Sequence, residues 1–189
     1  MKLLFVVALQ LVASAQVARA DFEPALMEFL DGSVRSWSSD PVLVAAIVSA
    51  NAERAGLDQA AIDSLDISWR AEVGQAETPT ITPVLDNAAA DFLRKALDSS
   101  GGKITEIFIV DAKGLNVAVT AATSDMWQGD EDKYARTYLV GPEGVFIDDV
   151  ELDESTQTYQ GQISLSIVDP ATQAVIGAMT IGVNAEMLM

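Results

Sequence analysis

Cysteine and histidine are both absent from this 189-residue chain, and each absence removes a class of chemistry. Without Cys there is no disulfide framework, no thiolate-held zinc or iron–sulfur centre and no thiol nucleophile. Without His there is no Ser-His-Asp triad, no imidazole ligand and no imidazole acid–base group near neutral pH. Basic residues are scarce too: 11 Lys and Arg face 28 Asp and Glu, a formal charge of −17. That sign repels phosphate backbones and excludes nucleic acid as a partner. No motif calls for a cofactor, so none is expected. Half of the residues are apolar, which is enough to bury the core of one globular domain and far from the composition of disordered chains.

The N-terminus reads as an export signal. Met1-Lys2 is a short positive segment, Leu3 to Ala15 is apolar apart from Gln10 and Ser14, and Ala18-Arg19-Ala20 supplies small residues two apart before Asp21. About 13 apolar residues fall short of the ~20 that span a bilayer. The pattern predicts cleavage after Ala20, with Ala13-Ser14-Ala15 as the other site, and a location in the periplasm or outside the cell. The domain is then residues 21–189, and no membrane span is expected in the mature chain. Loss of Lys2 and Arg19 leaves 9 basic against 28 acidic residues, or −19.

Two patterns divide the mature chain: a helical part over 21–102 and a sheet part over 103–189. Apolar residues first recur at helical spacing. One helix runs from Phe22 to about Trp37. Asp40 before Pro41 starts a second that ends at Gly56, and Asp58 caps a third bearing Ile62, Leu65 and Trp69. Pro79 and Pro83 interrupt the pattern, and a last helix is predicted from Val84 to Leu97. After Gly102 the period becomes two. Strands are predicted over Ile104–Val110, Leu115–Ala121, Val145–Leu152, Gln157–Val168 and Val175–Asn184, as an antiparallel meander. Helices followed by strands imply an α+β domain with the helices on one sheet face. In the fourth strand Gln160, Gln162, Ser164 and Ser166 form a polar row, which suits either a pocket floor or a solvated face.

An insert, Thr123 to Gly141, separates the second and third strands and carries Trp127, Tyr134 and Tyr138. Tyr134 and Tyr138 share a face if the segment is helical, and Trp127 joins them if the helix is continuous.

The segments EIFIVDAKGLNVA (Glu106 to Ala118), TSDMWQGDEDKY and QISLSIVDPATQAVIGAMTIGV (Gln162 to Val183), behind a helical stretch, resemble a Cache domain. This is the PDC-like, PAS-like family of extracytoplasmic sensors, and the likeness extends over about Phe22 to Leu188. It implies helices on a five- to six-stranded antiparallel PAS-like sheet, with the insert as a helical lid over a small polar metabolite such as an amino acid, amine or organic acid. It also implies a membrane receptor or sensor kinase as partner. Two departures stand out. The spaced Tyr, Arg, Trp, Tyr and Asp motif of amino-acid-binding double-Cache members is not reproduced, and no output module follows, so the expected form is stand-alone and without its own signalling domain.

A lid on the second sheet face makes Trp127, Tyr134 and Tyr138 candidate pocket walls, Asp125 a candidate for a ligand amine and Arg136 a candidate for a ligand carboxylate. The competing assignment makes the aromatics lid-to-sheet core and Arg136 a surface ion-pair member. Two residues along a helix turn about 200°, which directs Arg136 away from Tyr134. The acidic run Asp148 to Glu154 lacks the Gly and spacing of a calcium loop and suits a solvated edge strand, so no metal is expected there. Twenty-eight carboxylates form pairs by chance, so a carboxylate hydrolase has no motif behind it and the expectation is a binder and not an enzyme. A structural or partner-binding envelope protein with a filled pocket is the alternative.

Overall fold

The computed structural model describes residues 22–153 and 158–188; the predicted export signal and Ala20 lie outside them. Helix α1 (22–37) contains a π-turn at Leu30–Val34. It buries Leu26, Leu30 and Val34 completely. Helix α2 (Pro41–Glu53) starts where Asp40 accepts the Val42 N–H at 2.9 Å. Helix α3 (Gln59–Glu72) starts where Asp58 accepts the Ala61 N–H at 3.0 Å. Both caps satisfy backbone donors that have no partner within their helix.

The predicted Val84–Leu97 helix is two pieces. A turn, α4 (Thr82–Leu85), is separated from α5 (Ala88–Ser99) by Asn87. The Asn87 side chain accepts the Ala90 N–H at 2.9 Å and donates to the Pro83, Val84 and Val117 carbonyls. An Asn that caps a new helix competes with continuation of the old one, and here it also ties the junction to the sheet.

Six strands follow: β1 (Ile104–Val110), β2 (Asn116–Val119), β3 (Val145–Ile147), β4 (Glu151–Asp153), β5 (Thr158–Val168) and β6 (Val175–Asn184). They form one antiparallel sheet of order β2-β1-β6-β5-β3, with β4 also on β5. The sheet is therefore not a simple meander, because β1 pairs with the last strand, β6. The predicted Val145–Leu152 strand is broken. Phe146 and Ile147 face Ser164 and Ile163, Glu151 faces Gln160, and Asp148 to Val150 stand opposite only Gly161 and Gln162. One extra residue on an edge strand is a β-bulge, which re-aims its side chains.

The two sheet faces carry different cores. On the first, Ile107, Ile109, Ile163, Leu165, Met179 and Ile181 pack against α1, α2 and α5. On the second, Phe108, Val110, Val119 and Ala178 pack against α3, α4 and the insert. The N-terminal helices thus cover both faces, since α3 and α4 carry Ile62, Trp69, Ile81 and Val84 to the far side. No helix among the described residues is long and apolar enough to cross a membrane.

Candidate ligand cleft

The insert is fastened to the β1–β2 turn before it crosses the sheet. In that turn Asp111, fully buried, accepts the N–H groups of Lys113 and Leu115 at 2.8 and 3.0 Å and pairs with Arg54 at 2.8 Å. Trp127 Nε1 then donates to the Lys113 carbonyl, and the Tyr134 hydroxyl donates to the Ala112 carbonyl, both at 2.8 Å. Gly114, at φ +77°, lies so close to Gly129 that an added Cβ would stand 2.6 Å from the Gly129 Cα. Only glycine fits both the conformation and the approach. From α3, Asp66 accepts the Met126 and Trp127 N–H groups at 2.9 and 3.1 Å and pairs with Arg70 at 2.8 Å. At the far end Ser166 Oγ donates to the Gly141 carbonyl at 2.8 Å, while its N–H donates to Gly144 O at 2.9 Å.

Between these fastenings the only regular turn is α6 (Asp132–Ala135). It lies across the second face: Lys133 Nζ stands 5.3 Å from the Phe108 ring centre, and the Arg136 guanidinium stands 4.1 Å from that of Phe146. Tyr134 and Tyr138 stack with ring centres 5.1 Å apart. Trp127 is not on their helix; it lies beside Leu115 in an isolated antiparallel bridge. All three aromatics belong to the apolar cluster of Trp69, Ile62 and Met126. Burial raises the Tyr134 phenol pKa far above its ordinary value, with Tyr138 and Asp111 adding to the effect, so the hydroxyl remains a donor. Burial and then Asp111 raise that of Tyr138. Asp125 accepts from Gln128 Nε2 and lies 3.6 Å from Arg70. Of the five residues singled out by sequence, the structure thus brings Tyr134 and Tyr138 together and sets Asp125 at α3 and Arg136 on β3.

Beside the insert, the second face opens into a cleft of about 510 Å³. Its floor is a row across three strands, Glu106, Gly182 and Gln162, which pair in register. A Cβ on Gly182 would come within 2.7 Å of Glu106 Cγ. Its absence lets Gln162 Nε2 donate to Glu106 Oε1 over the middle strand at 3.2 Å. Gln160 extends the floor, so half of the polar row is floor; Ser164 and Ser166 are buried, Ser164 sharing a 3.0 Å hydrogen bond with Thr180. The bulge supplies one wall with Asp148, Asp149 and Glu151, and the insert supplies the other with Glu131 and Lys133. Lys133 is held by Glu131 at 2.9 Å. Five carboxylates therefore surround one ammonium, and the cleft attracts cations. Sequence reasoning passed over Glu106 because only strand order places it beside Gln162 and the insert.

No family model matches this chain, and no curated protein matches it. Solved structures do. The sensor domain of the Vibrio cholerae histidine kinase DctB shares 12% identity at a TM-score of 0.45, over 95% of this chain and 58% of that one. The ligand-binding domain of the Pseudomonas aeruginosa amino acid chemoreceptor PctC, in complex with GABA, shares 11% at 0.43, over 86% and 62%. That of the Campylobacter jejuni chemoreceptor Tlp3, in complex with L-valine, shares 13% at 0.39, over 86% and 64%. This chain spans less than two thirds of the length of each. These three are sensor and ligand-binding domains of a histidine kinase and of two chemoreceptors.

Proposed function

We propose that this protein is an exported Cache-type domain that senses or captures a small cationic or zwitterionic metabolite, of the amine or amino-acid class, without transforming it. The cleft carries this reading: its volume suits a small molecule, its floor is the Glu106–Gln162 pair, and its walls hold one ammonium among carboxylates. The ligand amine binds at Glu106 and the bulge acids, and Lys133 meets a ligand carboxylate. Trp127, Tyr134 and Tyr138 keep the lid seated, Asp125 braces it on α3, and Arg136 closes it over Phe146. Export after Ala20 puts the domain in the periplasm or outside the cell, where it presents its ligand to a membrane receptor or sensor kinase.

Thermal melts of the mature chain against amines, amino acids and organic acids test this. A ligand at 100 times its dissociation constant adds about 2.7 kcal/mol, or about 5–10 °C for this size. Glu106→Gln, which keeps shape and removes charge, lowers amine affinity at least ~10-fold, the loss expected of a hydrogen bond between charged groups. An unchanged affinity removes the amine seat, and no shift with any compound removes the reading. A partner-binding protein without a metabolite is the second reading, favoured by the packing of the insert's three aromatics within an apolar cluster. It predicts no shift and a stable complex with an envelope protein.

A further inference from the structure

A second cleft, remote in character from the first, lies between α1 and α5. It measures about 480 Å³, and its walls are the half-buried aromatics Phe29, Trp37 and Phe92. The π-turn explains the α1 wall. Four residues of α-helix overshoot a full turn by about 40°, so Phe29, Ser33 and Trp37 would spiral away from one another. The wider i→i+5 turn at Leu30–Val34 takes that drift back and aligns all three along the groove.

The charge on this groove is the reverse of the charge elsewhere. Nine basic side chains follow Ala20. Arg35, Arg54, Arg70, Arg94 and Lys133 pair with carboxylates. Lys113 donates to the Leu57 carbonyl and Arg136 lies on Phe146. Lys95 and Lys103 alone have no such partner among the described residues, although acids outnumber bases threefold after Ala20, and both line this groove. We propose that the α1–α5 groove is a binding site for a free amphipathic monoanion, an alkyl carboxylate, with its chain along Phe29, Trp37 and Phe92 and its head between Lys95 and Lys103. Charge complementarity selects the anion, and the aromatic walls select its apolar tail. A second copy of the chain, itself at −19, is the occupant that charge disfavours most.

Calorimetric titration of the mature chain with monomeric dodecanoate tests the site, with dodecyltrimethylammonium as the cation of equal tail. Dodecanoate binds, and the cation binds at least ten-fold more weakly. The double variant K95Q/K103Q, shown to be folded by its melting curve, loses at least ten-fold in dodecanoate affinity. Ser33→Trp, which fills the groove and keeps its charge, abolishes binding, whereas E106Q in the other cleft leaves it unchanged. Equal affinity for both surfactants, an unaltered K95Q/K103Q titration, loss of binding in E106Q, or attachment to phosphatidylglycerol vesicles without binding of the monomer each overturns the proposal.

Discussion

Asp111 is the residue on which the β1–β2 turn depends. A fully buried carboxylate is tolerable because two backbone N–H groups and Arg54 surround it. Arg54→Met removes the cation paired with it and leaves a buried charge, which costs about 3–5 kcal/mol. Urea titration reads this directly, and adding Asp111→Asn to Arg54→Met recovers part of the loss. At the β5–β6 turn, Asp169 accepts from the Ala171 N–H at 2.9 Å and from the Thr172 hydroxyl at 2.8 Å, and these hold its pKa below the ordinary carboxyl range. A depressed folded pKa adds stability above about pH 4, the unfolded value, and that stability is lost as pH falls through the folded value. The stability gap between the protein and Asp169→Asn therefore narrows over that acid window and is flat at neutral pH; a gap that widens on acidification contradicts this role. The turn itself was legible, since Asp169-Pro170 is turn chemistry in any context. The ion pair was not, because Arg54 and Asp111 lie on elements that only folding joins.

At the scale of elements, local signals and tertiary demands separate cleanly. The caps Asp40 and Asp58 and the bounds Val175–Asn184 follow from sequence, because caps and alternation act within a few residues. The insert defeats a helical reading. Its first half is held extended by the Asn116 and Gln128 N–H bonds to Met126 and Gly114, so Trp127 meets the turn instead of joining Tyr134. This attachment depends on Gly129, where a Cβ would strike the Trp127 indole nitrogen. Gly129→Ala is expected to cost about 1–3 kcal/mol by overpacking and to loosen the insert. Limited proteolysis should then cut within 123–141 faster than in the parent, and equal cleavage would mean that the insert is held elsewhere. The edge strand likewise breaks at Asp148–Val150 for a tertiary reason: Val150 is buried against Gly161, where a Cβ would lie 2.9 Å from its Cγ2.

Over the whole molecule the charge is the dominant long-range property. Self-repulsion of a chain at −17 opposes the compact state. Raising salt from about 0.05 to 0.5 M shortens the screening length and is expected to raise the melting midpoint; a fall would mean that local ion pairs outweigh repulsion. The α+β class, the helical-then-sheet division and the two-faced alternation of β5 are properties of the sequence alone, because periodicity declares which side of each element seeks the core. Pairing of β1 with β6, the passage of α3 and α4 to the second face, and the bulge are decided by contacts between residues far apart in the chain. Those contacts assemble the cleft: Glu106, Gln162 and Lys133 come from three separate stretches and meet only because strand order and lid attachment bring them there. Composition alone excluded imidazole and thiol chemistry; tertiary structure decided which of the many carboxylates and few cations meet in each cleft, since proximity between distant segments has no local signature.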